Sequence, residues 1–87
     1  MKKLIDRHYE ATRKRGLIDS DTDMNDFLGK LSEEVLEVNE AYDDGRFSAS
    51  ISEVVDVVAV CLNTLHHFGY DFEAMYKLNV EHQENRI

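Results

Sequence analysis

The positions of the helix-breaking residues constrain the fold of this chain more than any other feature of its sequence. The 87 residues include no proline, the strongest helix breaker, and only four glycines. Gly16, Gly45 and Gly69 separate four blocks of helical pattern, whereas Gly29 lies inside one of them. We therefore predict an all-α fold with four helices, and their expected ranges are residues 2–15, 23–43, 50–68 and 71–85.

Three of these helices are expected to begin at a polar N-cap residue. Asp23, Ser50 and Asp71 carry short side chains that can accept hydrogen bonds from the free N–H groups of a first helical turn. Ser50 and Glu53 also match a capping box, in which each side chain bonds the backbone N–H of the other residue. The third helix is accordingly predicted to begin after Ser50.

The second predicted helix carries apolar residues at every third or fourth position, and these define its expected buried face. They are Met24, Phe27, Leu28, Leu31, Val35, Val38 and Tyr42. We expect this helix to pack antiparallel against the third, and a second subunit to complete a larger bundle.

Residues 51–62 are compatible with two structures. Nine of the twelve are apolar and six are β-branched, which favours a strand. The length of the segment and its lack of turn residues favour a buried helix, which we prefer. The choice decides the chemistry, because Glu53 and Asp56 share a face in a helix and lie on opposite faces in a strand.

Size and charge limit the possible functions. Eighty-seven residues allow one domain, 1–87, whose small core makes self-association a natural source of stability. The formal charge of −8 disfavours binding of a nucleic acid polymer through its phosphates. Residues 1–15 nevertheless hold six of the ten basic residues. This basic first helix is expected to be a solvated or subunit-contact face, and attraction of an anionic substrate is the second choice.

The sequence indicates a cytoplasmic protein without a membrane partner. A single cysteine, Cys61, allows no disulfide within the chain. The first residues lack the apolar stretch of a signal peptide. No uninterrupted apolar run approaches the roughly 20 residues that cross a bilayer.

Two pairs of carboxylates carry most of the chemical information. Glu34 and Glu37 are three residues apart, and so are Glu53 and Asp56. Each pair lies on one helical face, about 4.5 Å apart along the axis, so two packed helices would bring four negative charges together. Such a cluster is unfavourable unless cations neutralise it, and its hard oxygen ligands suit Mg²⁺, with Mn²⁺ as an alternative.

Other interpretations of the acidic residues compete with a metal site. Glutamates are good helix formers and can form a solvated face, and Glu53 can serve as a capping residue alone. Asp56 has no such role and lies among valines, which favours the metal site. A di-iron site would need Glu three residues before His, and no histidine here has that partner. A zinc site would need paired thiol and imidazole ligands, which are absent from the sequence.

Two histidines end the third predicted helix. His66 is explained by the helix dipole, which favours a cation near a C-terminus. His67 lies on the same helical stripe as Asp56, so a structural role and a binding role both remain open.

The segment Lys30–Glu37, KLSEEVLE, followed by EVVD at Glu53–Asp56, resembles the EExxE…ExxD signature of the all-α nucleoside triphosphate pyrophosphohydrolases. The closest resemblance is to the small MazG-like branch, and it spans nearly the whole chain. Arg15 and Gly16 resemble the entry segment of this family, and Asn63 matches an asparagine common in MazG-type domains. The full motif is fairly specific, whereas either half alone is weak.

The resemblance implies a single MazG-like domain that hydrolyses a (d)NTP to the nucleoside monophosphate and pyrophosphate. Glu34, Glu37, Glu53 and Asp56 would hold Mg²⁺, and Glu33 would orient water. Metal ions would make acidic walls favourable for an anionic substrate. Glu37 or Glu33 could take the proton of the attacking water.

The resemblance also implies phosphate contacts from the last helix. Arg86 matches the arginine of the family, whereas His82 replaces its lysine and Lys77 lies about one turn earlier. Lys30, Asn63 and His67 are further substrate-binding candidates near the carboxylates. The family forms dimers or dimers of dimers with shared pockets, so a homodimer or homotetramer is expected. The alternative function is a non-catalytic helical oligomer that binds nucleotide or a protein partner.

Overall fold

The computed structural model describes residues 1–86, and this part of the chain forms four α-helices and no strand. The helices are α1 (Lys2–Lys14), α2 (Met24–Asp43), α3 (Phe47–His67) and α4 (Phe72–Glu84). The all-α prediction is confirmed, and residues 51–62 are helical despite their valine content. Side-chain packing along α2 therefore outweighs the strand preference of β-branched residues.

Glycines end the first three helices as predicted. Gly16, Gly45 and Gly69 all have left-handed backbones, with φ of 78°, 75° and 82°. After α2, the N–H of Arg46 donates to the carbonyl oxygen of Ala41 at 2.9 Å, which satisfies a carbonyl that the helix leaves free. A residue with a Cβ atom would be strained at each of these glycines.

Two of the three predicted N-caps are confirmed, and Ser50 is wrong. Asp23 accepts from the N–H of Asp26 in a reciprocal capping box, and Asp71 caps α4. The third helix instead begins at Phe47, one turn early, because the tight turn at Gly45 returns the chain directly onto α2. Ser50 is buried within α3.

Helices α2 and α3 form an antiparallel hairpin, as predicted. Near the turn, the Ser50 hydroxyl donates to the carbonyl oxygen of Val38 at 3.0 Å. At the open end, the ring of Phe27 lies 5.0 Å from the ring of His67 and 5.8 Å from that of Phe68, centroid to centroid. Contacts at both ends hold the two helices in one register along their length.

The buried face of α2 differs from the predicted apolar stripe. Of that stripe only Phe27 is buried, and Leu31 and Val38 are half-buried. The other four members, Met24, Leu28, Val35 and Tyr42, are exposed. The side facing α3 consists instead of positions 27, 31, 34, 38 and 41, so it includes Glu34. The apolar pattern indicates which side of α2 avoids water. In the single chain, part of that side is not covered by another element.

Helix α3 is the most apolar element, and much of it is uncovered. Ile51, Val54, Val55 and Val58 are all exposed in the single chain. By length and composition alone α3 would also suit a membrane span, a test that core helices of soluble proteins pass as well. Exposed apolar surface on this scale is typical of a face that meets another protein surface.

Candidate metal centre

Three carboxylates meet where α2 faces α3. Glu34, Glu37 and Glu53 each offer one oxygen, and these oxygens all lie within 4.8 Å of one another. Successive turns of α2 supply the first two, as their spacing predicts, and α3 supplies the third. Ligand oxygens around Mg²⁺ lie at about 2.0–2.1 Å from the ion. Small rotations of these side chains would bring the three oxygens to that range.

The fourth predicted ligand, Asp56, lies beside this group of three rather than within it. Asp56 contacts Glu53 and also lines the same cavity as Glu34. The structure thus brings all four carboxylates of the two motifs to one side of the hairpin. Three of them converge closely, and Asp56 faces the adjoining space.

Glu53 has an oxygen that the chain leaves unsatisfied. Its Oε2 atom is buried without a hydrogen-bond partner, the one such side-chain atom among residues 1–86. Loss of hydration, followed by the contacts with Asp56 and Glu37, raises the pKa of the Glu53 carboxyl. Both effects disfavour the charged form. A bound cation would satisfy the free oxygen and offset the repulsion, so the donor set fits a divalent metal ion.

Lys30 supplies the nearest positive charge to the cluster. Its Nζ atom lies 3.0 Å from Oε1 of Glu34 and 3.7 Å from Oε2 of Glu33. The hydrogen bond with Glu34 raises the pKa of Lys30. The two glutamates differ in burial, because the side chain of Glu34 is 9% exposed and that of Glu33 is 71% exposed. Glu34 therefore belongs to the interior of the site and Glu33 to its rim.

A cavity of about 420 Å³ opens next to the cluster. Helix α1, the connection to α2, and both helices of the hairpin enclose it, with Arg15 and Lys30 as its cationic residues. Glu34 and Asp56 form part of the same wall. The volume lies within the range of small-molecule pockets, about 300–1,000 Å³. The cavity is therefore large enough for a small anionic ligand beside the carboxylates.

Asn63 lies in this cavity wall and joins α3 to α1. The residue is 5% exposed, its Oδ1 atom accepts from Nδ1 of His8 at 3.1 Å, and its Nδ2 atom donates to Oγ1 of Thr12 at 3.4 Å. The amide thus has partners within the chain at both ends. His8 and Thr12 were not predicted as part of the site, since nothing in their local pattern indicates which helix they face.

His67 has a structural role in the single chain, which is one of the two roles that its position in the sequence left open. Its Nε2–H donates to the carbonyl oxygen of Thr22 at 2.8 Å, and its Nδ1 accepts from the hydroxyl of Tyr9 at 2.9 Å. Both nitrogens are occupied, and His67 is not among the residues that line the cavity. The residue joins α1, α3 and the connection between α1 and α2. His66 pairs separately with Asp6 at 3.2 Å.

The three candidates from the last helix lie away from the cluster. Lys77 and His82 are exposed residues of α4, and Arg86 follows its end. None of them lines the cavity beside the carboxylates. The single chain therefore does not bring these cationic groups to the site.

The comparisons with known proteins return no match for this chain: no family model, no curated protein and no solved structure matches it. Arguments about function consequently depend on the residues and geometry described above.

Proposed function

We propose that the protein is a Mg²⁺-dependent, MazG-like nucleoside triphosphate pyrophosphohydrolase that converts a (d)NTP to the monophosphate and pyrophosphate. The observation that carries the proposal is the convergence of Glu34, Glu37 and Glu53, with an unsatisfied buried oxygen on Glu53. Carboxylates this close repel one another in the absence of a cation, and their oxygen atoms suit hard divalent ions. A role in clearing or controlling cytoplasmic nucleotides follows from this activity.

In this proposal Glu34, Glu37 and Glu53 hold the metal, with Asp56 completing the set from the cavity side. Bound Mg²⁺ supplies charge neutralisation for the phosphates and a more acidic water. Glu37 is better placed than Glu33 to accept the proton of that water, because Glu37 lies in the cluster. Glu33, at the exposed rim, would order water beyond it.

The adjoining cavity would receive the nucleotide. Lys30 and Arg15 line it and would attract phosphate oxygens, and His8, Thr12 and Asn63 add polar groups to its wall. Leu17, Ile18, Phe27 and Val60 supply the apolar part of the wall, so the cavity combines apolar and polar groups as small-molecule sites do.

A homodimer or homotetramer is part of the proposal. The exposed apolar residues of α3 and α4 would be covered by a second copy, and that copy could bring Lys77, His82 and Arg86 to the phosphates. The single chain is small enough to benefit from the extra burial.

The test is release of pyrophosphate from a panel of (d)NTPs with Mg²⁺, with detection that distinguishes pyrophosphate from phosphate. Glu34→Gln and Asp56→Asn should each lower kcat/KM by about 100-fold or more, as expected for lost stabilisation of transition-state charge. Glu40→Gln is the matched control, since it removes the same charge from an exposed position on α2. Full activity of both site variants would contradict the assignment.

A non-catalytic oligomer that binds nucleotide or a protein is the second candidate. The internal pairing of Asn63 and His67 favours it, because two expected substrate contacts already have partners. Thermal unfolding with added Mg²⁺ or Mn²⁺ separates the candidates. The enzyme is expected to show a higher Tm with metal, and the binding protein no change.

A further inference from the structure

The ion pair between Lys30 and Glu34 joins the cluster to the cavity. Lys30 lies one turn before Glu34 on α2, and its ammonium is 3.0 Å from a carboxylate whose side chain is 9% exposed. The lysine side chain itself is 54% exposed and lines the cavity. One end of the pair is thus held in the hairpin, and the other is free to move through solvent.

Lys30 and a divalent cation would compete for the same carboxylate, that of Glu34. Glu34 is one of the three carboxylates that converge, and the pair occupies its Oε1 atom. Two positive charges at one carboxylate repel each other, and for a side chain as exposed as Lys30 water screens this repulsion to an amount that corresponds to several-fold in binding. An ammonium on a flexible four-carbon stem can leave such a position at small cost.

We propose that Lys30 is a tethered counterion of the metal-free cluster, and that a divalent cation displaces it from Glu34 into the cavity. There its ammonium meets the anionic substrate that enters with the metal. The inference rests on the proposed function, because it assigns the metal site to the same carboxylates. Within the cluster, the buried Oε2 atom of Glu53 has no hydrogen-bond partner, so Lys30 leaves room for a further cation.

Binding of Mn²⁺ without nucleotide tests this competition, measured by calorimetry at constant ionic strength. Lys30→Met should bind Mn²⁺ about 3- to 10-fold more tightly than the unaltered protein. Lys3→Met removes the same charge from an exposed position on α1 and corrects for the general attraction of a more negative protein. Lys30→Arg keeps the charge and should retain the weaker affinity. Nucleotide KM should rise in Lys30→Met, since the displaced cation no longer meets the phosphates.

The outcomes separate this inference from the proposed function. Equal Mn²⁺ affinities for Lys30→Met and Lys3→Met would overturn the competition while leaving the metal site in place. Weaker Mn²⁺ binding by Lys30→Met would also overturn it, because Lys30 would then support the site. Absence of Mn²⁺ binding in the unaltered protein would contradict the proposed metal site, and the inference that depends on it. Lys30→Gln gives a second variant should the methionine variant misfold.

Discussion

The α2–α3 hairpin and helix α4 differ in how much of their surface the chain itself covers. The hairpin buries Phe27 and Ala41 and closes its interface with Ser50. Helix α4 has no buried residue within the described part of the chain, and Leu78 is 66% exposed. The region that holds the converging carboxylates is thus determined within one chain. The region that holds the expected phosphate contacts depends on what covers it.

The largest expected difference between these regions is in core packing. Phe27→Ala should lower the free energy of unfolding by about 3–5 kcal/mol, because it removes a ring that is 4% exposed and contacts the end of α3. Urea denaturation measures this loss.

Leu78→Ala on α4 is the contrasting variant, with an expected loss within about 0.5 kcal/mol at protein concentrations where the chain is monomeric. A loss that grows with protein concentration would show that a subunit covers α4. Equal losses of unfolding free energy for Phe27→Ala and Leu78→Ala in the monomer would contradict the difference in packing between the hairpin and α4.

Asn63→Leu should lower the free energy of unfolding by about 1–3 kcal/mol, because it removes the two hydrogen bonds that join a buried amide to His8 and Thr12 of α1. Asn79→Leu is the matched control on exposed α4 and should change stability little. Hydrogen exchange of α1 amides provides the local measurement. Unchanged protection of α1 in Asn63→Leu would contradict the role of Asn63 in holding α1 to the hairpin.

Two glycines of the hairpin should respond in opposite directions to alanine. Gly45→Ala should cost about 1 kcal/mol, since its φ of 75° strains a residue with a Cβ atom. Gly29→Ala should stabilise by about 0.5–1 kcal/mol, because Gly29 lies within α2 and an added Cβ there meets nothing within 4 Å. Thermal unfolding of both variants checks the signs. Stabilisation by Gly45→Ala would mean that the turn after α2 differs from the one described.

The smallest expected effect is the pH dependence of the metal-free cluster. The ordinary pKa of a glutamate, which applies to the unfolded chain, is 4.5, and the pKa of Glu53 is raised in the folded protein. Folded Glu53 therefore keeps its proton at pH values where Glu53 of the unfolded chain has lost it. The contribution of this proton to the free energy of unfolding is complete below pH 4.5 and is lost as the pH rises through the pKa of folded Glu53. Unfolding in EDTA between pH 5 and 7.5 should therefore show a decline that Glu53→Gln reduces and Glu40→Gln preserves. If the free energy of unfolding of Glu53→Gln declined by the same amount over this pH range, groups other than Glu53 would be responsible for the decline.

Local chemistry made part of this structure predictable from sequence. The helix ends at Gly16, Gly45 and Gly69 follow from the ability of glycine to adopt a left-handed backbone. This ability is a property of the residue itself and does not depend on what packs around it. The pairing of Glu34 with Glu37 and with Lys30 follows from helical periodicity, once the helix is recognised.

The features that depend on tertiary packing were not predictable in the same way. Ser50 has the side chain of an N-cap, yet its hydroxyl bonds α2 because the preceding turn is tight. The apolar stripe of α2 indicated which residues avoid water but not which of them face α3. The bonds of His67 to Tyr9 and Thr22 join segments far apart in the chain, and no local pattern indicates such partners.

The most direct test of a specific metal centre is paramagnetic broadening by substoichiometric Mn²⁺ in an ¹⁵N-labelled sample. The proposed site predicts that amide signals of residues 33–38 and 52–57 broaden first, and that Glu53→Gln weakens this effect. Equal or earlier broadening at the exposed acidic segments, Asp19–Asp26 and Asp43–Asp44, would contradict it. That result would mean that the carboxylates between α2 and α3 bind cations no better than the rest of an acidic surface.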